Sequence, residues 1–458
     1  MDGYYARIID RYLTEWKNDK LHKPLLLRGA RQVGKSSAAR HLGKQFKYFA
    51  EINFEKQKDA RVFFKGDIDA KLIAAKISNY IGVPVEAGAT LLFLDEIQEC
   101  QEALMALRFF KEDFPELHVI AAGSLLEFSL NDLPTFGVGR IHSLFMYPLT
   151  FSEFLDATGN KGLTAMLSDC DYAHPLDEAF HNKLIELFRI YLMVGGMPEA
   201  VAGWVKTGDF LRCQAVHHDI VLTYEDDFGK YSKKVSPELM RMVMRGVCHR
   251  IGQKLTFTEI TRDYRSVQLR QVLRLLTQAG LVTPVVSTSA NGLPLDAGSE
   301  ENVSKYLFID PGLLLSVLQL DGVSSKHLVE LILTGTPADL VNKGAITEMV
   351  AGLELMRYRE PIQRQKMFYW QKGGKSSAEI DYLVPNNLKI LPIEVKSGTQ
   401  GGMKSLWTFM REKHLHDAIR CSLENFGEFD YTDSLDGNST RHVSILPLYA
   451  IRKMVEAR

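Results

Sequence analysis

Apolar residues over the first 150 positions come in short runs separated by amphipathic stretches. The runs are Pro24–Leu27, Tyr48–Phe54, Leu91–Asp95, His118–Ala122 and Ile141–Tyr147. Short, nearly continuous apolar runs alternating with segments of helical period read as buried strands joined by crossover helices. Residues 1–155 are therefore expected to form an α/β core around a parallel sheet. From Phe151 to about Lys230 the strand pattern stops and a 3.6-residue period takes over. It is broken at Gly195-Gly196-Met197-Pro198, where glycines and proline interrupt a helix. Residues 156–234 are expected to be a helical subdomain.

Helical periodicity then marks Leu239–Ile251, Phe257–Asp263 and Ser266–Ala279, followed by strands Leu281–Ser287 and Tyr306–Ile309. That order is the order of a winged helix-turn-helix, assigned here to residues 235–325. The intervening Ser289–Ser304, rich in Ser, Gly and Asn, reads as an exposed wing or loop. Residues 326–458 read as a separate α/β domain. It has a helix to Arg359, strands Lys366–Gln371, Ala378–Val384 and Leu388–Ser397, helix Ser405–Lys413 and a last strand Val443–Tyr449. No internal repeat is visible.

Composition narrows the class. At 458 residues the chain exceeds one hydrophobic core, which stops growing at about 250–300 residues. With 46% hydrophobic and 24% charged residues it is an ordinary globular chain. Its 56 acidic residues nearly cancel its 55 basic ones, so any contact with nucleic acid must be a local patch. The five cysteines form no CxxC pair, which argues against a disulfide framework or zinc site and fits a reducing cytoplasm. Met1–Lys20 has no apolar signal region, and no segment approaches the ~18 apolar residues of a membrane span. A cytoplasmic protein without a membrane partner is expected.

The chemistry begins at Gly29-Ala30-Arg31-Gln32-Val33-Gly34-Lys35-Ser36, a G-x-x-x-x-G-K-S cradle placed after a strand and before a helix. Its glycines let successive backbone N–H groups face phosphate oxygens. Lys35 is suited to reach the β- and γ-phosphates, the Ser36 hydroxyl to ligate Mg²⁺, and Ser37 to complete the nucleotide-binding set. Leu91–Leu94 then ends in Asp95 and Glu96 at the strand edge where α/β sheets bind ligands. Asp95 is the expected Mg²⁺ carboxylate and Glu96 the group that polarises the attacking water. Tyr48–Phe54, a further strand between these motifs, points to the ATPase subclass with a catalytic glutamate. Ser124, ending another strand, is a candidate γ-phosphate sensor. Arg140 is either a transition-state arginine, in cis or across a subunit boundary, or a surface arginine.

The chain resembles AAA-type P-loop ATPases of the archaeal-ATPase-like group, which carry a C-terminal domain of unknown function. The resemblance rests on Leu27–Ser36, Phe93–Gln98, Ala122–Ser124, Gly139-Arg140, Tyr147–Phe154, Gly195–Pro198, Tyr224–Lys230 and Ile393–Gly398. It spans nearly the whole chain and implies a P-loop NTPase, AAA-like architecture with ATP and Mg²⁺ as cofactors.

A second constellation lies near the C-terminus. Asp381 is followed, twelve residues intervening, by Glu394-Val395-Lys396. Residues two apart on a strand share a face, so Glu394 and Lys396 project together. With Asp381 on the next strand, the two carboxylates could hold Mg²⁺ while Lys396 stabilises a phosphorane or activates water. Glu348, on the helix Ile346–Met356, could add a metal ligand. The set resembles the restriction-endonuclease-like fold of PD-(D/E)XK nucleases, although no proline precedes Asp381. Retained charges for ion pairing or partner binding are the other reading. A bare E-x-K arises about once by chance in a chain this size, so only the ordered set counts.

Arg262, Arg265, Arg270 and Arg274, with Lys254 nearby, could meet DNA through the winged helix, or form a charged solvent face or protein-docking surface. The acids of Tyr224–Lys230 diverge around one helix, which favours capping or ion pairs over metal. The expected function is an ATP-driven switch coupled to a DNA-acting, nuclease-like C-terminal domain. The alternatives are a regulatory or interaction ATPase whose C-terminal domain binds a protein partner without cutting, and a P-loop protein that binds ATP without hydrolysis. An oligomer is compatible with each.

Overall fold

The computed structural model describes residues 3–131, 139–231, 235–319, 343–373, 378–398 and 402–456. They form two compact units. The first comprises Met1–Pro148 together with two short returning segments, Gln278–Gly280 and Glu360–Arg364. The second holds Leu149–Thr277, Leu281–Arg359 and Gln365–Arg458.

In the first unit β1 (Leu25–Arg28), β2 (Tyr48–Asn53), β3 (Thr90–Asp95), β4 (His118–Ala122) and β5 (His142–Phe145) make one sheet in the order β2-β3-β4-β1-β5. Every pairing is parallel. Helices α1 (Ile8–Asn18), α2 (Lys35–Gly43), α3 (Ala70–Ile81), α4 (Gln101–Asp113) and α5 (Leu126–Asn131) accompany it. β3 and β4 are buried throughout, as their unbroken apolar runs require of strands covered on both faces. Leu92, Leu94, Val119 and Ala121 pack with Ile73, Leu104, Leu107 and Phe110 in its core. Because all five strands point one way, Arg28, Asn53, Asp95 and Ala122 end at the same edge.

One expectation about this sheet changes. Tyr48–Asn53 lies between the two phosphate-site motifs in sequence, yet β2 takes the edge of the sheet. The strand standing in space between β1 and β3 is β4, the one that leads to Ser124.

The second unit opens with α6 (Phe151–Ala157), α7 (Lys161–Asp169), α8 (Glu178–Val194), α9 (Pro198–Thr207) and α10 (Phe210–Tyr231). The first unit ends at Pro148, before the expected boundary at 155, because α6 is tied to later elements. Thr150 and Glu153 form a reciprocal capping box at its start, and the Phe151 amide donates to Glu354 at 3.1 Å. Then come α11 (Pro237–His249), α12 (Phe257–Ile260), α13 (Ser266–Gln278), β6 (Val282–Thr288), β7 (Ser299–Phe308) and α14 (Pro311–Gln319). Two of the three acids after Tyr224 make ion pairs, Glu225 with Arg241 at 3.1 Å and Asp227 with Lys230 at 2.7 Å. α15 (Lys343–Arg357), β8 (Met367–Gln371), β9 (Glu379–Asn386), β10 (Lys389–Val395), α16 (Lys404–Glu412), β11 (Asp417–Ser422), β12 (Gly427–Asp433), β13 (Ser439–Pro447) and α17 (Ile451–Glu456) complete the unit.

β6 and β7 are not a free-standing wing. β6 pairs in parallel with β8, so strands assigned to two domains form one eight-stranded sheet, β12-β13-β11-β10-β9-β8-β6-β7. The expected loop Ser289–Ser304 is also shorter, since β7 starts at Ser299. Ala290 and Leu295 are buried against Phe368, Trp370, Leu406 and Phe409. The domain boundary drawn at 325/326 falls outside the described residues.

A buried polar knot fixes the Gly195–Pro198 turn. Asp310 accepts from the Gly196 amide at 2.6 Å and the Gly312 amide at 2.9 Å. Arg357 donates to the Leu149 and Ile309 carbonyls and to the Tyr191 hydroxyl, which itself donates to Glu354 at 3.1 Å. A Cβ on Gly196 would collide with the Leu149 carbonyl oxygen. Gly196→Ala and Asp310→Ala should each destabilise the protein by about 2–4 kcal/mol in urea titrations. Gly203→Ala, mid-helix with open space around the added carbon, should be neutral or stabilising by up to about 1 kcal/mol.

In the first unit His118 stacks on His22 at 3.8 Å, donates through Nε2 to the Lys17 carbonyl at 2.9 Å, and leaves Nδ1 buried without a partner. Burial first, and His22 second, lower its pKa to about 4. The unfolded chain therefore binds the proton more readily, and stability should fall as pH drops from 6.5 toward 4, by up to about 2 kcal/mol. Urea midpoints across that range should show the loss in wild type and a smaller one in His118→Gln.

Candidate active site

The cradle is built by backbone geometry that only its sequence permits. Gly29 has φ 140° and Gly34 φ 100°, and a Cβ on Gly29 would strike the Met146 carbonyl oxygen. α2 begins at Lys35, so the free amides of its first turn face the loop. The Lys35 ammonium is buried and donates to the Gly29 and Ala30 carbonyls at 2.9 and 2.7 Å. Burial pulls its pKa down to about 8, against the opposing pull of Glu96 and Asp95. An incoming polyphosphate would add negative charge directly beside this buried ammonium.

Ser36 donates to Asp95 Oδ1 at 3.0 Å, and Asn53 donates to Asp95 Oδ2 at 3.1 Å. Burial raises the Asp95 pKa, and the Ser36 hydrogen bond counters it. A hydroxyl and a carboxylate side by side are hard oxygen donors of the kind Mg²⁺ selects. Glu96, at φ 49°, holds a left-handed conformation that a non-glycine residue adopts at a cost of about 1–2 kcal/mol. Its Oε2 accepts from Gln98 at 2.7 Å, and from the Ser124 hydroxyl and amide at 3.2 and 3.3 Å. Lys35, Ser36, Asp95, Glu96 and Ser124 thus meet at one edge of the sheet, with Ala30, Arg31, Gln32, Val33 and Ser37 in or beside the same loop.

Arg140 does not join them within the chain. It precedes β5, whose first residue pairs with Leu25 at the start of β1, whereas the cradle follows the end of β1. There it forms an ion pair with Glu112, near the end of α4.

Asn53, Gln98 and a charged group beside the cradle were not anticipated. The rule that parallel strands end together could have pointed to Asn53. Arg28 makes a bidentate pair with Glu127 at 2.7 and 2.5 Å and lies over the Phe145 ring. Arg364 comes within 3.8 Å of the same Glu127. The segment bearing it offers the Pro361 carbonyl to the Phe145 amide at 2.8 Å, and Gly280 lies against Ala30. No local pattern links residues so far apart in sequence.

In the second unit Glu348, Asp381, Glu394 and Lys396 are neighbours, but they are not arranged as an open metal set. Among the described residues no group of three or more His, Cys, Asp or Glu is disposed to hold a metal ion. Lys305 of β7 donates to Glu348 at 2.9 Å and pairs with Glu379. Asp381 accepts from the Val395 amide at 2.7 Å, and Lys396 donates to Glu394 Oε1 at 2.5 Å. Burial and neighbouring Asp381 raise the Glu348 and Glu394 pKa values to about 8 and about 7. Glu394 Oε2 is buried without a partner.

Residues 21–155 match the family described as an AAA domain. Residues 185–324 and 343–445 match two domains of unknown function, DUF8612 and DUF4143. No curated protein matches the chain. Among solved structures it is similar to the Walker-type ATPase PABY2304 of Pyrococcus abyssi, with 16% identity and TM-score 0.43 over 69% of this chain and 96% of that one. The Orc1 protein of Aeropyrum pernix in complex with DNA gives 15% identity and TM-score 0.30, over 70% and 94% of the two chains. Cdc6p from Pyrobaculum aerophilum gives 13% and 0.25, over 68% and 92%. Among the described residues no helix is long and apolar enough to cross a membrane. The cradle, its carboxylates, the parallel sheet and the match of residues 21–155 to an AAA domain support a P-loop ATPase in this part of the chain.

Proposed function

We propose that the protein is a Mg²⁺-dependent ATPase that works as a nucleotide-driven switch. The observation that carries this reading is the meeting of Lys35, Ser36, Asp95 and Glu96 at one sheet edge. Lys35 and the amides of residues 29–36 hold the phosphates. Ser36 and Asp95 hold Mg²⁺, which supplies charge neutralisation for phosphoryl transfer. Glu96 accepts a proton from the attacking water, and Ser124 orients that carboxylate while sensing the γ-phosphate. Glu360–Arg364 and Gln278–Gly280, lying beside the cradle, register the nucleotide state and pass it along the chain to α13 and α15. Arg140, paired with Glu112 away from the cradle, is left either as a surface arginine or as a group acting across a subunit boundary.

Phosphate release under ATP excess should fall to background in Lys35→Ala. Glu96→Gln should keep ATP affinity within about threefold and lose at least about 100-fold in kcat. Full turnover in Glu96→Gln would refute the role given to that carboxylate.

The target we infer is DNA. Lys254, Arg262, Arg265, Arg270 and Arg274 are exposed on and before α13, which we read as a DNA-facing helix even though its following strands β6 and β7 join the larger sheet rather than forming a wing. The C-terminal strands are read as a restriction-endonuclease-like fold whose centre is Asp381, Glu394, Lys396 and Glu348. The buried, unpartnered Glu394 Oε2 favours a cation there. The competing reading, partner binding without cleavage, is favoured by the ion pairs that already engage these carboxylates. Incubating plasmid and single-stranded DNA with Mg²⁺ or Mn²⁺ separates the two. Cleavage lost in both Asp381→Ala and Glu394→Ala assigns a nuclease, and cleavage that survives them sinks that assignment.

A further inference from the structure

The half-buried Glu96 is held by one of its two carboxylate oxygens. Oε2 accepts from Gln98 Nε2 at 2.7 Å and from the Ser124 hydroxyl and amide at 3.2 and 3.3 Å. Oε1 accepts no hydrogen bond among the described residues. Residues two apart do not face each other along a helix, so the contact between Glu96 and Gln98 has a special cause. Glu96, at φ 49° and ψ 45°, turns the chain at the end of β3, and the single 3₁₀ turn Ile97–Glu99 follows it. Gln98 is thereby brought back to the carboxylate. Its carboxamide fills the space beside Gly123, where an added Cβ would collide with Gln98 Oε1. Gly123 does not have a positive φ, so it is this contact and not the backbone that calls for glycine. Gln98 Oε1 is itself buried without a partner. A buried amide oxygen left unpaired weakens the fold, and an apolar side chain of the same length would avoid that loss. What glutamine adds here is the donor to Glu96.

We propose that Gln98 is a positioning residue for hydrolysis, fixing Glu96 Oε2 so that Oε1 is presented to the attacking water. The inference rests on reading Glu96 as the group that accepts the proton of that water. As the water oxygen bonds to the γ-phosphorus, its proton passes to Oε1 and the bridging oxygen leaves with ADP. A neutral carboxamide suits the task. It anchors the carboxylate without cancelling the negative charge that draws the proton, as an ammonium or guanidinium in its place would. When the Ser124 hydroxyl turns to the γ-phosphate, Gln98 is the side chain that still holds Glu96 in place.

The test is single-turnover ATP hydrolysis by the full chain, with ATP affinity and urea midpoints measured on the same variants. Gln98→Met keeps the length of the side chain and removes the donor. It should slow hydrolysis by about 10- to 100-fold, the scale of a misplaced catalytic group, while ATP affinity stays within about threefold. Its urea midpoint should equal or exceed that of wild type, which a purely structural role for Gln98 would not allow. Gly123→Ala leaves residue 98 intact and pushes its carboxamide aside, so it should reproduce the slower rate. The double variant should be little slower than either single one, because both remove one contact. Should Gln98→Met fail to fold, Gly123→Ala carries the same rate prediction. A wild-type rate in Gln98→Met, or losses that multiply in the double variant, overturns the positioning role and leaves the reading of Glu96 intact. Absence of hydrolysis by wild type, or full turnover in Glu96→Gln, overturns that reading and the positioning role with it.

Discussion

A charge taken out of water must find its partner inside the protein, and this constraint organises each buried centre of the molecule. In the first unit the Lys35 ammonium satisfies itself on the Gly29 and Ala30 carbonyls, which draws the cradle around it. In the second, Arg357 and Glu354 share the Tyr191 hydroxyl between α15 and α8. Farther along, Arg441 of β13, 1% exposed, meets the wholly buried Asp433 at the end of β12. Apolar packing supplies the volume of these cores. The paired charges fix which elements adjoin, because each has one arrangement in which both partners are satisfied.

Much of the first unit was legible in the sequence, for a physical reason. A parallel sheet covered on both faces needs unbroken apolar strands, and Leu91–Leu94 and Val119–Ala122 could be little else. Glycines that must adopt positive φ, such as Gly29 and Gly34, mark the cradle without help from distant residues. Strand order was less accessible. Which of β2 and β4 stands beside β1 depends on crossover connections, and neither strand's composition encodes that choice.

The second unit hid more. β11 and β12 were missed because their residues do not advertise burial: β11 includes the buried Arg420, and β12 alternates half-exposed with exposed positions. Lys305 was invisible as a site residue because its partners, Glu348 and Glu379, lie far along the chain and only the packing of α15 on β7 joins them. Glu394 and Lys396 were readable as a pair from strand alternation, whereas their ion pair at 2.5 Å was not. The capping box of Thr150 and Glu153 lies wholly within a local window, and its residues already stood out in Tyr147–Phe154.

The sheet shared by β6 and β8 bears on how the protein can be cut into pieces. Severing the chain after the β6–β7 hairpin would strip β8 of its neighbour along Met367–Tyr369 and bare a row of amides and carbonyls. The same cut would leave the apolar bed of Phe368 and Trp370 without Ala290 and Leu295. A fragment made that way presents a sticky strand edge beside uncovered aromatic surface, the combination that drives self-association. Gene dissection should therefore keep β6 and β7 with the strands that follow them.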